Sequence, residues 1–164
     1  DLLAAHPGVL EKDSLKAAMA QHARSSRYLT VIASGQPRHD LGGQPVEALM
    51  PEQVAALHAS VLYRVYMLGF SPGFPYLGTV PDRIATPRLP TPRKQVAAGS
   101  VGIAGTQTGI YPHASPGGWR IIGRTPVPLF SLTRPTPFLL APGDQVQFVP
   151  IEETEFHALF ENHT

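Results

Sequence analysis

Three groups of side chains in the middle of this sequence could build a binding site. Phe70, Phe74 and Tyr76 stand in GFSPGFPYLG. Ser100, Gln107 and Tyr111 stand in AAGSVGIAGTQTGIYP. Ser115, Gly117, Gly118, Trp119 and Arg124 stand in SPGGWRIIGRTP. The rings suit an aromatic cleft, and Ser, Gln and Tyr are uncharged hydrogen-bond formers suited to an amide. Two adjacent glycines allow a close backbone approach, and a guanidinium holds a carboxylate or phosphate through a two-pronged contact. Each group also has a plain structural reading. The rings could be core packing, the single Trp a core anchor behind a hairpin turn, and Arg124 a rim salt bridge or a clamp on backbone carbonyls.

The same stretch lacks the usual machinery of an autonomous hydrolase. Between Gln53 and Gly143 the only carboxylate is Asp82, so paired acids for general acid–base work are missing. His58, in PEQVAALHAS, is the nearest acid–base candidate, and a single helical His is more often structural. No two of the seven His sit four residues apart, and there are no cysteines, so no metal site is expected. GSVGIAG carries a GxxGxxG spacing, but no GxxxxGK[ST] loop and no GxSxG elbow occur. A bulge or tight turn needing small residues explains that spacing as well. A net charge of +1 gives no electrostatic case for nucleic acid.

The elements that must position these residues follow from composition. Gly and Pro make 15 + 18 of 164 residues, about 20% against roughly 12% in ordinary globular chains. Turns therefore punctuate the sequence. Short strands are expected at Tyr63–Phe70 and near Gln95–Val96, Ser100–Ala104, Gly109–Tyr111, Trp119–Gly123, Pro128–Phe130 and Gln145–Pro150, a spacing that suggests a β-barrel or sandwich. Helices are expected over Glu11–Arg24, Pro51–Ser60 and Glu152–Phe160, and a strand over Tyr28–Ala33. Charged residues are only 15% of the chain, which fits a loop-rich surface or one partly covered by another chain. No apolar run reaches membrane-spanning length and Asp1-Leu2-Leu3 carries no signal-peptide features, so a cytoplasmic protein is expected. The abrupt start without Met suggests a fragment.

LHASVLYRVYMLGFSPGFPYLG, TPRLPTPR, AAGSVGIAGTQTGIYP and SPGGWRIIGRTP resemble the signature blocks of the 5-oxoprolinase B-subunit family, also known as allophanate hydrolase subunit 1, over about Pro51–Pro150. The family includes a bacterial sporulation-kinase inhibitor. The resemblance implies a mainly β fold, a cyclophilin-like β-barrel with two or three short helices over residues 51–164. Residues 1–50 would then be a remnant of an N-terminal region and linker. It also implies ATP-dependent opening of the 5-oxoproline lactam to glutamate, in a complex with the A-type and C-type proteins of a 5-oxoprolinase. A related module pair occurs in urea carboxylase. On this reading Gln107, Tyr111 and Ser115–Trp119 contact substrate or interface, Arg124 holds anionic groups, and partners supply the missing acid–base and nucleotide contacts. The alternative is a regulatory module that docks a sensor histidine kinase. Prolyl isomerase activity by analogy with the barrel is weak, since fold does not carry function.

Overall fold

The computed structural model describes residues 49–161 and, ahead of them, the backbone of residues 10–11, 14–20, 38–39 and 45–46. The early strands are β1 (Leu10–Glu11), β2 (Ser14–Ala20), β3 (Arg38–His39) and β4 (Pro45–Val46). Helix α1 (Pro51–Ala59) follows, then β5 (Leu62–Leu68), β6 (Pro75–Gly78) and a 3₁₀ turn at Asp82–Ile84. Strands β7 (Arg93–Val96), β8 (Ser100–Ala104), β9 (Gln107–Ile110), β10 (Ser115–Gly117), β11 (Arg120–Arg124) and β12 (Gln145–Ile151) lead to helix α2 (Glu153–Glu161).

Eight strands form one sheet in the order β1-β2-β11-β8-β9-β6-β5-β12, and β2 also pairs with β12. That last pairing curls the sheet into a barrel-like ring. The β2–β12 ladder is parallel over six residue pairs, whereas β2 meets β11 only at Ala20 opposite Arg124. The two helices and this curled sheet give the mainly β, barrel-like fold expected from the turn spacing.

Alternation decides which residues fill the ring. Tyr63 and Val65 of β5 and Val146 and Phe148 of β12 are buried, while their neighbours Leu62, Arg64, Gln145 and Gln147 face out. Leu77, Val101, Ile103 and Ile110 complete that interior. Helix α1 caps it. Pro51 opens the helix where its missing N–H costs nothing, and the Gln53 side chain accepts the Met50 N–H at 2.8 Å. Strand β8 is buried along its whole length, so it is covered on both faces. Its outer face, with Ala104, lies under Phe74, Val96, Tyr111 and Trp119 of a second cluster.

Several expectations change. Glu11–Arg24 reads as helix from its Ala, Leu and Lys content, yet Ser14–Ala20 is strand β2. Its backbone completes the free edge of β12, and tertiary pairing outweighs a propensity of a few tenths of a kcal/mol per residue. Pro128–Phe130 is not a strand. Pro126 and Pro128 have no N–H to donate, and Phe130 makes only an isolated bridge to Phe138. Strands β6 and β10 were not anticipated. The strand expected at Tyr28–Ala33 lies outside the described residues. Among those residues, no helix is long and apolar enough to cross a membrane.

Candidate functional site

The outer aromatic layer exists because glycines make room for it. A Cβ on Gly102 would sit 3.1 Å from the Trp119 Cβ. One on Gly109 would sit 2.9 Å from the Phe74 ring, and one on Gly117 would run into the Tyr111 phenol. Each glycine leaves a side-chain volume that a ring from elsewhere fills. The interleaving of glycine and aromatics in the sequence is therefore a packing code.

The rings lock edge to face. Phe74 meets Tyr111, Trp119 and Phe70 with centroids 5.2, 5.4 and 5.5 Å apart, and Tyr76 meets Trp119 at 5.9 Å. Phe74 and Tyr111 are 1% exposed, whereas Phe70 is 65% exposed. Phe70 has a φ of +65° and is spanned by a 2.7 Å bond from the Ser71 N–H to the Gly69 carbonyl. This is a γ-turn around a bulky residue, a strained arrangement that places its ring at the rim.

Behind the rings runs the TPRLPTPR segment. Arg93 on β7 pairs with Gly117 on β10, and the Leu89 N–H donates to the Gly118 carbonyl at 2.8 Å. Arg93 Nη1 donates to the Trp119 carbonyl at 2.8 Å, and the Arg88 guanidinium lies 5.7 Å from the Trp119 ring centroid. Burial pushes the Tyr111 phenol above its ordinary value, opposed by a Trp119 backbone hydrogen bond and the charges of Arg93 and Arg88. Tyr111 is thus held as a neutral hydroxyl, with the Trp119 backbone beside it.

Together these residues enclose a cleft of about 290 Å³. It is lined by Phe70, Phe74, Tyr76, Tyr111 and Trp119, with Arg88, Pro92 and Pro116–Gly118 at its edges. Seven residues singled out from the sequence meet here: Phe70, Phe74, Tyr76, Tyr111, Gly117, Gly118 and Trp119. Ser115–Gly117 is a strand rather than a hairpin tip, and Trp119 anchors a layer and walls a cleft at once.

The other candidates are elsewhere. Ser100 is buried, and its carbonyl accepts the Tyr111 N–H at 2.9 Å, so it holds Tyr111 through backbone. Gln107 opens β9 and Ser115 Oγ is buried without a partner; neither lines the cleft. Arg124 Nε donates to the Ala98 carbonyl at 2.8 Å, and its guanidinium packs on Phe156 and Phe160 of α2 at 5.7 and 5.0 Å. It clamps the C-terminal helix to the sheet. His58 is fully buried, contacts Tyr63 and Phe148, and is pushed down to about 3 by desolvation. The GSVGIAG run is β8 with its turns, not a loop opening a helix. Arg88 and Arg93 are the residues that sequence reasoning left out of the site. A signal was available: each is a cation directly after a proline, just ahead of a long stretch with no formal charge.

Residues 44–140 match the family described as carboxyltransferase domain, subdomain C and D. The chain belongs to this family. It is 53% identical over 113 residues to the 5-oxoprolinase B-subunit of Bacillus subtilis, covering 69% of this chain and 47% of that protein. It is 57% identical over 105 residues to the 5-oxoprolinase B-subunit of Escherichia coli O157:H7, covering 64% and 48%. The resemblance read from the signature blocks is therefore borne out. The chain spans about half the length of these curated relatives. A conserved uncharacterized protein of Pyrococcus horikoshii superposes with a TM-score of 0.72 at 46% identity, covering 88% of this chain and 62% of that one. A second profile, the ProQ/FINO family, matches residues 1–65 and overlaps the first match across α1. Most of its range lies outside the described residues.

Proposed function

We propose that this chain is a non-autonomous subunit of a 5-oxoprolinase-type complex that opens the 5-oxoproline lactam to glutamate using ATP. The relatives named as 5-oxoprolinase B-subunits support the class of complex. The observation that carries the reading is the composition of the cleft: five aromatic rings, among them the neutral Tyr111 phenol, half-buried backbone at Gly117–Gly118, and no carboxylate, histidine, lysine or cysteine. Such a surface can bind and orient a small flat amide. It cannot by itself take a proton from water or form a covalent intermediate.

Opening a lactam breaks the ring C–N bond. Water adds its hydroxyl to the carbonyl carbon and a proton to the leaving nitrogen. In this reading the Tyr111 hydroxyl donates to a ligand oxygen, and the rings exclude bulk water. The acid–base groups and the nucleotide site belong to C-type and A-type partner proteins. Exposed Tyr66, Met67 and Phe70 lie on β5 and the loop that enters the cleft, and offer an apolar shoulder for such a partner.

The test is co-purification with a C-type and an A-type 5-oxoprolinase protein, followed by 5-oxoproline-dependent ATP hydrolysis. Activity is expected from the complex only, with a strong loss in Tyr111→Phe. Full-rate lactam turnover by the chain alone would defeat the proposal. A stable complex with no such activity, but which suppresses autophosphorylation of a histidine kinase, would favour a regulatory docking role instead.

A further inference from the structure

The cleft has an electrostatic asymmetry that amide binding alone does not use. None of its lining residues is acidic, and Arg88 has its guanidinium at the Trp119 wall. Among the described residues the carboxylate near a basic side chain is Glu153, 3.7 Å from His157 on helix α2. Among the described residues, no carboxylate pairs with Arg88. Arg93 stands behind the same wall, fixed by its bond to the Trp119 carbonyl. One of its five N–H groups is used there. Arg88 and Tyr111 both line the cleft with Trp119, and both guanidinium groups are held at Trp119, Arg88 against its ring and Arg93 on its carbonyl. Fixed positive charge above apolar walls attracts an anion more strongly than the same charge in open water.

We propose that the Arg88 end of the cleft is a carboxylate subsite, and that Arg88 is the residue that selects an acid over a neutral amide of the same shape. The proposal deepens the lactam reading and rests on it for the identity of the ring. A guanidinium meets a carboxylate with two parallel charge-assisted hydrogen bonds, which a neutral ring cannot accept. The ring then stacks in the aromatic layer with its carboxylate at Arg88 and the Tyr111 hydroxyl. A urea-like amide of similar polarity has nothing to place there. Arg88 thereby sets specificity without touching the bond that breaks.

Trp119 is the only tryptophan, so its fluorescence reports on this wall without a label. The full chain is titrated with 5-oxoproline, with 2-pyrrolidinone (the same lactam lacking the carboxylate) and with cyclopentanecarboxylate (the acid lacking the lactam). 5-Oxoproline is expected to bind ten- to a hundredfold more tightly than 2-pyrrolidinone, the range for losing a charged hydrogen bond. Arg88→Gln should erase that difference by weakening 5-oxoproline alone, and Arg88→Lys should restore part of it. Arg88 is exposed, so both variants should keep the wild-type near-UV circular dichroism. Equal affinity for the two lactams in the wild type, unchanged selectivity in Arg88→Gln, or no saturable response to any of the three would overturn the subsite. Arg88-dependent binding of cyclopentanecarboxylate with no preference for 5-oxoproline would keep the subsite and remove the lactam reading.

Discussion

Replacing His58 with Gln should flatten the acid limb of this protein's stability curve while leaving its ligand cleft alone. Hydrogen bonds fix the tautomer. The Thr108 hydroxyl donates to the Gly102 carbonyl at 3.0 Å, so towards His58 it can only accept. His58 Nε2, 2.8 Å away, therefore carries the proton, and Nδ1 is the bare nitrogen. Nδ1 is buried without a partner, beside the rings of Tyr63 and Phe148. Protonating it would place an unpaired N–H and a full charge in apolar surroundings, which is why the group falls from 6.5 to about 3.

The sign follows from linkage. The unfolded chain takes up this proton as pH falls below about 6.5, and the folded chain does not until about 3. The stability His58 allows is complete above pH 6.5 and is lost progressively as pH falls towards 3. Between about pH 7.5 and about pH 5.0 the loss from this one group is about 2 kcal/mol, from about 1.36 kcal/mol per unit below the unfolded value. Gln reaches Thr108 with a donor N–H and does not titrate. Urea unfolding of both proteins at the two pH values isolates the effect, because every other titrating group is common to both. The wild type should lose about 2 kcal/mol more than His58→Gln over that interval. Equal losses would refute the reasoning, since His58 would then titrate alike in both states.

Three further outcomes are expected. Gly117→Ala puts a methyl into the buried Tyr111 ring, so it should cost about 1–3 kcal/mol in urea unfolding and abolish the Trp119 response to ligand. Phe70→Gly relieves the γ-turn and exposes little new core; stability should stay level or rise by about 1 kcal/mol while ligand affinity falls. Arg124→Ala removes the Ala98 bond and two ring contacts, and should cost about 1–2 kcal/mol with no change in the ligand-induced fluorescence signal.

What was legible in the sequence was what turns and alternation encode. QVQFV alternates and is a strand with Val146 and Phe148 inside; PEQVAALHA starts at a proline and is a helix. What was not legible depended on distant pairing. PYLG and SPG look like turn sequence, yet Pro75–Gly78 is held between β5 and β9, and Ser115–Gly117 lies against β7. The site was half visible for the same reason. Aromatic residues near glycines could be named as a cleft because both partners of the packing were in view. Arg88 joins it through long-range contacts such as the bond from the Leu89 N–H to Gly118 and the pairing of Arg93 with Gly117, which no local pattern announces. Arg124, adjacent in sequence to the right motif, points to α2 instead, because residues alternate across a strand and the next layer on that side is a helix.

The exchange of glycine for ring decides how the cleft meets a ligand. Trp119, Phe74 and Tyr111 occupy volume that Gly102, Gly109 and Gly117 vacate, so each ring is wedged between backbone and other rings. Close-packed groups of this kind do not rearrange by small degrees. The floor of the cleft is therefore set before any ligand arrives, and little ordering entropy remains to be lost there on binding. Phe70 is the exception, with most of its surface in solvent and its backbone already strained. Among the rings, whatever adjusts on binding adjusts there, at the rim and on the same shoulder as Tyr66 and Met67. Ligand capture and partner docking would then act on one residue, and each would favour the other because the entropy of ordering that ring is lost only once.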